Sequence, residues 1–408
     1  MSILTEMSTS GAFVTVTDVE SSNVSIGLSD NTLIMSRHEI ERLLLSRISS
    51  QSFDDVTQAV LVAMFACLIL IGAFGNGLVS YVVVRNAHMR TPRNIFIINL
   101  ALSDLTLCLF TQPFNLLKIL MTSWELGTFM CKFVAMFSGT NVFVSTISIT
   151  AIALDRFQVI VHPTHNSGMQ LRSAFALLCV WLVSFLLASP LFFFNIVKPV
   201  EPVKGIVLFE ICVENPELPR EKVAYSVASM VFQYLLPVTL LTFAHLRIWF
   251  KLKYRMSNQR NRDVIPVELQ TDVMLQRQAA ERRRKRRTNV MLLTIGVVFA
   301  LSWLPLNISN ITADVSPQLL LRLDPHNLLI PTCHLLVLLS ACINPILYGW
   351  LNENFRREFL LVFSCFRRRH SNNTPLNDAA VVGGANDCNR DARLLDVVAS
   401  NQPSVPLK

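Results

Sequence analysis

One carboxylate in this sequence stands where a carboxylate is costly. Asp104 closes the run Asn99-Leu100-Ala101-Leu102-Ser103-Asp104, in the middle of a long apolar block. A charge removed from water needs a partner, a proton or an ion. Asn76, Asn141, Ser145, Ser340 and Asn344 each fall in the middle of another such block. Gathered around Asp104, these amides and hydroxyls would form an oxygen-lined pocket for a small hard cation such as sodium. A packed polar network holding no ion is the alternative use of the same residues. A second acid, Asp155, adjoins Arg156 in Asp155-Arg156-Phe157, so the guanidinium has a local carboxylate until a partner competes for it. Enzyme signatures are missing: the chain has no His-Glu-x-x-His, no Gly-x-Ser-x-Gly, no phosphate loop and no Cys-x-x-Cys. His162, His165, His245, His326 and His334 are dispersed, which gives no pattern for a metal.

The elements that must position these groups are membrane spans. The chain has 408 residues, 52% of them hydrophobic and 16% charged, against about 25% charged in an ordinary soluble domain. Its apolar residues come in seven blocks, roughly 57–84, 94–121, 128–160, 170–196, 222–250, 288–314 and 326–350. A spanning helix needs about 20 such residues. Helices are the only fit, because a barrel would need many short alternating strands. The expected fold is an all-α membrane protein, a seven-helix bundle with a short amphipathic eighth helix.

Charge sets the orientation. The stretch Lys251 to Arg287 holds twelve Lys and Arg against four acids, and Arg85, Arg90, Arg93 and Arg367-Arg368-Arg369 lie on the same side. Residues 1–55 hold eight acids and three Arg. Lys and Arg collect on the cytoplasmic side, so the N-terminus is expected outside and the C-terminus inside. The formal charge of +8 then reads as this asymmetry, and a nucleic-acid partner is not expected. A transporter or channel would need a polar route across the bilayer, and Asp104 is the only acid near mid-depth.

Four regions follow. Residues 1–55 are polar and Ser/Thr-rich, an expected disordered outer tail with a glycosylation sequon at Asn23. Residues 56–350 are the spanning domain. Residues 351–366 alternate Phe355, Phe359, Leu360, Val362 and Phe363 with Arg356, Arg357 and Glu358, a helix for the membrane surface, and Cys365 at its end is a palmitoylation candidate. Residues 367–408 are an expected disordered tail. No signal peptide is apparent, so the first span is expected to direct its own insertion. Pro113, Pro237, Pro305 and Pro345 interrupt spans and should kink them. Of the nine cysteines, Cys131 and Cys212 alone lie suitably on the oxidising outer face, and they are expected to pair.

Read in order, these residues resemble the rhodopsin-like G-protein-coupled receptors. The resemblance rests on Gly75-Asn76, Asp104, Asp155-Arg156-Phe157, Trp181, Pro237, Phe299-x-x-x-Trp303-x-Pro305, Asn344-Pro345-Ile346-Leu347-Tyr348 and Phe355, across about residues 57–366. A narrower resemblance, to the neuropeptide Y/neuropeptide F receptors of the invertebrate branch, rests on Trp303 to Asp314, on Cys333-His334-Leu335-Leu336 through Gly349, on Gln233-Tyr234 and on Phe143 to Pro163.

That resemblance implies a function. The ligand would be a C-terminally amidated peptide ending in Arg-Phe or Arg-Tyr, with Asp314 pairing its penultimate Arg. Asn310, Gln233 and His334 would supply neutral hydrogen bonds, with Asn115 and Ser138 completing the cleft. Asp155, Arg156, Phe299, Trp303, Pro305, Asn344, Pro345 and Tyr348 would form the switch that engages a heterotrimeric G protein, of the inhibitory class. Arrestin, receptor kinases and membrane lipids are further implied partners. No cofactor is expected beyond an allosteric sodium ion at Asp104, Asn141, Ser145, Ser340 and Asn344. The chain departs from the pattern in three places: Ser138 replaces a Gln, His245 a Tyr, and Lys285 the Glu that in some receptors locks Arg156. The same resemblance leaves room for another short amidated peptide, of the short neuropeptide F or tachykinin type.

Overall fold

The computed structural model describes residues 23–28, 31–36, 53–161, 169–201, 207–262 and 272–371. Seven helices among them are long and apolar enough to cross a membrane: α1 (Asp55–Arg85), α2 (Arg93–Leu120), α3 (Gly127–Val161), α4 (Phe175–Phe194), α5 (Pro219–Lys251), α6 (Arg286–Val315) and α7 (Leu329–Leu351). They coincide with the seven apolar blocks of the sequence. An eighth helix, α8 (Glu353–Ser371), follows directly and runs past the expected end at Phe366. Cys365 lies on it.

Local chemistry sets the helix starts. The Asp54 side chain accepts the Thr57 amide at 3.2 Å and caps α1. Thr91 does the same for the Asn94 amide at 3.3 Å, with Pro92 at the first helical position. The prolines behave in two ways. The turns before Pro113 and Pro237 are π-helical, at Leu107–Thr111 and Met230–Leu235. One extra residue in each turn absorbs the lost donor and rotates the rest of the helix. Pro305 and Pro345 instead sit inside unbroken α-helix.

The helices pack as a ring with α3 at its centre. α1 lies against α2 and α7, α6 against α7 and α5, and α3 against α2, α4 and α5. Gly139 permits the closest approach: a Cβ there would meet Leu191 Cδ1 at 2.5 Å and the Ala188 Cβ at 3.3 Å. The outward faces are apolar and open. Leu70, Phe74, Leu186, Leu301 and Trp350 are all more than 60% exposed, an apolar belt suited to lipid and not to water.

The described residues also include two hairpins. Asn23–Leu28 (β1) and Asn31–Ser36 (β2) pair antiparallel within the expected disordered tail. The alternation Val24, Ile26, Leu28 opposite Leu33 and Met35 explains why this piece of the tail pairs. Asn23, the sequon residue, opens β1. The remainder of residues 1–52 and residues 372–408 lie outside the described residues. The second hairpin, Asn195–Val200 (β3) with Phe209–Glu214 (β4), joins α4 to α5. A disulfide between Cys131 and Cys212 ties it to the start of α3, as the sequence leads one to expect. The Trp124 amide donates to the Glu210 carbonyl at 2.7 Å and adds a second tie. This end of the bundle is called the disulfide end below, and the opposite one the Arg156 end.

Candidate functional site

At the disulfide end Asp314 closes the last turn of α6, and it is not a solvated helix-end acid. Its side chain is 8% exposed. The Ser226 hydroxyl, on α5, donates to Oδ2 at 2.5 Å, and Lys222 Nζ, one turn earlier on the same helix, lies 3.4 Å from Oδ1. Lys222 is held more tightly by Glu214 of β4, at 2.8 Å. α5, α6 and the hairpin thus meet at one charged cluster.

The other expected ligand contacts are less uniform. Gln233 is buried, inside the π-helical turn of α5. Its neighbour Tyr234 donates to the Ala300 carbonyl at 3.0 Å and fastens α5 to α6. His334 and Asn115 are half-buried, whereas Asn310 is exposed. Ser138 Oγ and His334 Nδ1 are buried and have no hydrogen-bond partner among the described residues. Unmet polar atoms of this kind are costly, and a polar ligand would satisfy them. On the side of α3 that faces α2 and α4 runs a ladder of rings: Phe129, Phe133 and Phe137 stack with centroids 5.7 and 5.6 Å apart, Phe110 of α2 abuts Phe137 at 5.1 Å, and Phe192 of α4 meets Phe129 at 6.2 Å.

Deeper in the bundle, Asp104 is 4% exposed. Asn344 Nδ2 donates to its Oδ2 at 2.8 Å. Asp104, Ser145, Ser340 and Asn344 line one cavity together with Phe299 and Trp303 of α6, with room for about one water-sized particle. Asn141 is not in that lining. Its Oδ1 accepts from Thr106 at 2.9 Å and its Nδ2 donates to Thr111 at 2.6 Å, both on α2. The rotation of α3 turns this amide away from Asp104. Asn76 also points elsewhere. Its Nδ2 donates to the Ala341 carbonyl at 3.1 Å, the acceptor left without its helical N–H by Pro345, four residues on. A buried carboxylate with one neutral donor beside hydroxyl groups fits a small hard cation. Asp104, Ser145, Ser340 and Asn344 would hold it, and its charge would offset that of Asp104.

At the far end Arg156 is clasped by Asp155, through Nη2 at 2.5 Å and Nε at 3.1 Å. Tyr348 is fully buried, with its ring 5.6 Å from Phe355 of α8. The Phe299 and Trp303 rings meet at a tilt of 39°, with centroids 5.9 Å apart. They touch the Asp104 cavity and lie on the same helix as Asp314.

The model of the 7 transmembrane receptor (rhodopsin family) matches residues 75–348. Among curated proteins, the neuropeptide F receptor of Drosophila melanogaster is 40% identical over 334 residues, covering 78% of this chain and 66% of that protein, slightly under two thirds of its length. The putative neuropeptide Y receptor 11 of Caenorhabditis elegans is 37% identical, covering 73% of each chain. The human neuropeptide Y receptor type 2 is 36% identical, covering 76% of this chain and 78% of that one. The chain belongs to the rhodopsin family of seven-transmembrane receptors, in its neuropeptide Y/neuropeptide F receptor group. The family is one of receptors, not enzymes.

Two features of this receptor escaped the sequence reading. The Lys222–Glu214–Asp314 cluster carries no local signature, because its members come from three elements. The Phe129, Phe133 and Phe137 ladder does have one, a four-residue spacing along α3. Lys285 lies on the helix leading into α6. The ion pair found nearby joins Arg287 to Glu353 of α8 at 2.8 Å, with both side chains about half exposed. α8 is also moored to the turn after α1, where Asn86 Nδ2 donates to Glu358 at 2.7 Å.

Proposed function

We propose that this receptor binds a C-terminally amidated peptide of the neuropeptide Y/F type at its disulfide end and signals through a heterotrimeric G protein, of the inhibitory class that lowers cAMP. One observation carries the reading: Asp314 is a sequestered carboxylate on α6, held by Ser226 and Lys222. In a partly dry cleft a guanidinium forms two parallel charge-assisted bonds to such a group. Ser138 and His334, with their unmet polar atoms, together with Gln233, Asn115 and Asn310, serve the peptide's neutral groups. The names of the relatives support the ligand class.

The disulfide end then faces outward and the Arg156 end the cytoplasm of the plasma membrane, as the distribution of Lys and Arg favours. Drawing Asp314 toward a ligand shifts the top of α6. Trp303 and Phe299 on that helix form a wall of the Asp104 cavity, so the shift repacks the middle of the bundle. Pro305 is the pivot. The inner end of α6 moves out, and Arg156 leaves Asp155 for the incoming G protein. Asp104, Ser145, Ser340 and Asn344 would hold a sodium ion, whose charge would favour the closed arrangement by offsetting that of Asp104. Arrestin and receptor kinases act on the same inner face, Cys365 carries a palmitoyl chain and Asn23 a glycan.

The test is cAMP inhibition in cells expressing the full chain, across a panel of Arg-Phe-amide and Arg-Tyr-amide peptides. Asp314→Ala should raise the effective concentration by about tenfold or more, about 1.4 kcal/mol, at equal surface expression. Silence across the panel, with a promiscuous G-protein reporter also silent, would overturn the ligand assignment.

A further inference from the structure

The cation beside Asp314 belongs to the receptor itself. Among the described residues, Lys222 Nζ lies within ion-pair distance of two acids, 2.8 Å from Glu214 and 3.4 Å from Asp314. The Lys222 side chain is 17% exposed. The two carboxylates and the ammonium sum to −1, and the next cation, Lys118 of α2, acts on Glu214 and not on Asp314. The lysine's contacts are also unequal. It gives Glu214 a normal charge-assisted bond, and it gives Asp314 a longer one. Among the described residues, the second Asp314 oxygen is met only by the neutral Ser226 hydroxyl.

We propose that Lys222 is a specificity-determining residue: it occupies the cation seat of Asp314 in the peptide-free receptor and must be displaced there, so that a guanidinium is favoured over an ammonium. The inference rests on the reading of Asp314 as the seat of a peptide Arg. A guanidinium offers both Asp314 oxygens a donor in one plane, which a single ammonium cannot match. Exchange therefore gains a hydrogen bond when the peptide brings Arg. A peptide bringing Lys supplies the same charge but only the donor geometry that Lys222 already gave Asp314, so it gains less. Glu214 makes the exchange feasible. When Lys222 leaves Asp314 it keeps its 2.8 Å partner, so no cation is stranded in the cleft, which would carry a heavy cost. The incoming charge takes the cluster from −1 to neutral. Selectivity thus arises from a competitor placed against the wrong ligand as well as from a fit to the right one.

The cluster is also a clasp. Glu214 lies two residues past Cys212, on the strand tied to α3, while Lys222 is on α5 and Asp314 on α6. Exchange frees α6 from the first turn of α5 at the moment the peptide engages it.

The experiment uses the full-length receptor and two synthetic peptide amides that differ only in ending Arg-Phe or Lys-Phe, with binding measured by displacement of a labelled Arg-Phe-amide peptide. The wild type should prefer the Arg peptide strongly. Lys222→Met should tighten both peptides and the Lys peptide more, narrowing the preference by about tenfold. Glu214→Gln removes the lysine's second partner, so Lys222 clings to Asp314 and both peptides weaken. An unchanged Arg-to-Lys ratio in Lys222→Met, while Asp314→Ala still weakens the Arg peptide, overturns the role of Lys222 and leaves that of Asp314 standing. Indifference of both peptides to Asp314→Ala, or no binding of either by the wild type, overturns the two together. Should Lys222→Met fail to reach the surface, Lys222→Gln replaces it, and Glu214→Gln with unchanged affinities is again a refutation.

Discussion

The α1–α7 seam offers a sharp test of how the bundle is held. Asn76 is fully buried, and its Nδ2 donates at 3.1 Å to the Ala341 carbonyl, which lies four residues before Pro345. Replacing Asn76 by Ala leaves that carbonyl without a donor inside the membrane. A stranded buried polar group costs about 1–3 kcal/mol, while hydrogen bonds between membrane helices average about 0.6 and reach about 1.7 kcal/mol. One offset belongs in the estimate: Asn76 Oδ1 has no partner among the described residues, and the substitution removes that atom too. The expected loss is therefore about 1 kcal/mol, or a fall of about 2 °C or less in melting temperature, since the shift per kcal/mol shrinks with domain size. The assay is thermal unfolding of the purified, solubilised receptor in a double-mutant cycle with Pro345→Ala. Alanine restores an N–H at position 345, which can bond the Ala341 carbonyl within α7, and Asn76→Ala should then cost little. Additive effects, with a coupling below about 0.3–0.5 kcal/mol, would refute the idea that Asn76 serves the acceptor exposed by Pro345.

Three further outcomes are expected. Asp104→Asn should abolish any sodium sensitivity of agonist affinity while the bond to Asn344 at 2.8 Å persists to the amide oxygen; peptide binding across a sodium titration checks this, and sensitivity retained in the variant contradicts the cation site. Gly139→Val should cost about 1–3 kcal/mol, seen as reduced surface expression and earlier unfolding, because a Cβ there already meets Ala188 and Leu191 at 3.3 and 2.5 Å; Gly139→Ala should be milder, since Leu191 can turn its methyl aside. Arg287→Ala should change ligand-free signalling by less than about fivefold, since half-exposed pairs such as Arg287–Glu353 contribute about 0–1 kcal/mol; a larger rise in basal cAMP inhibition would make this pair a true lock on α6.

The spans, the pairing of Cys131 with Cys212 and the eighth helix were readable from the residues alone. In a bilayer each helix satisfies its own backbone, so a run of apolar residues of sufficient length specifies its own structure before it meets a neighbour. The pairing reduced to a question of which cysteines lie outside the spans. The hairpin at Asn23–Ser36 was missed because composition dominated the reading of that tail, although its alternation was present. Which side chains meet inside the bundle is a different matter. Asn344 reaches Asp104 across 240 residues, and Ser226 reaches Asp314 across 88. Those meetings depend on how each helix is rotated about its axis. The π-helical turns before Pro113 and Pro237 reset that rotation, and small residues such as Gly75 and Gly139 set how closely the helices approach.

A span can be recognised while its rotation stays open. Asn141, mid-span and polar, qualified as a neighbour of Asp104 on type and depth, yet α3 turns it to Thr106 and Thr111. Asp314 stood out as the acid for an incoming arginine, but the lysine already beside it comes from another helix and is braced by a third element. Composition and motif order suffice for the membrane spans and the family. The partners that polar residues such as Asp314 meet, and with them the electrostatic state of the cluster, follow from packing, because charges on separate helices interact only once the helices are brought to within a few ångströms of each other in a medium that screens them poorly.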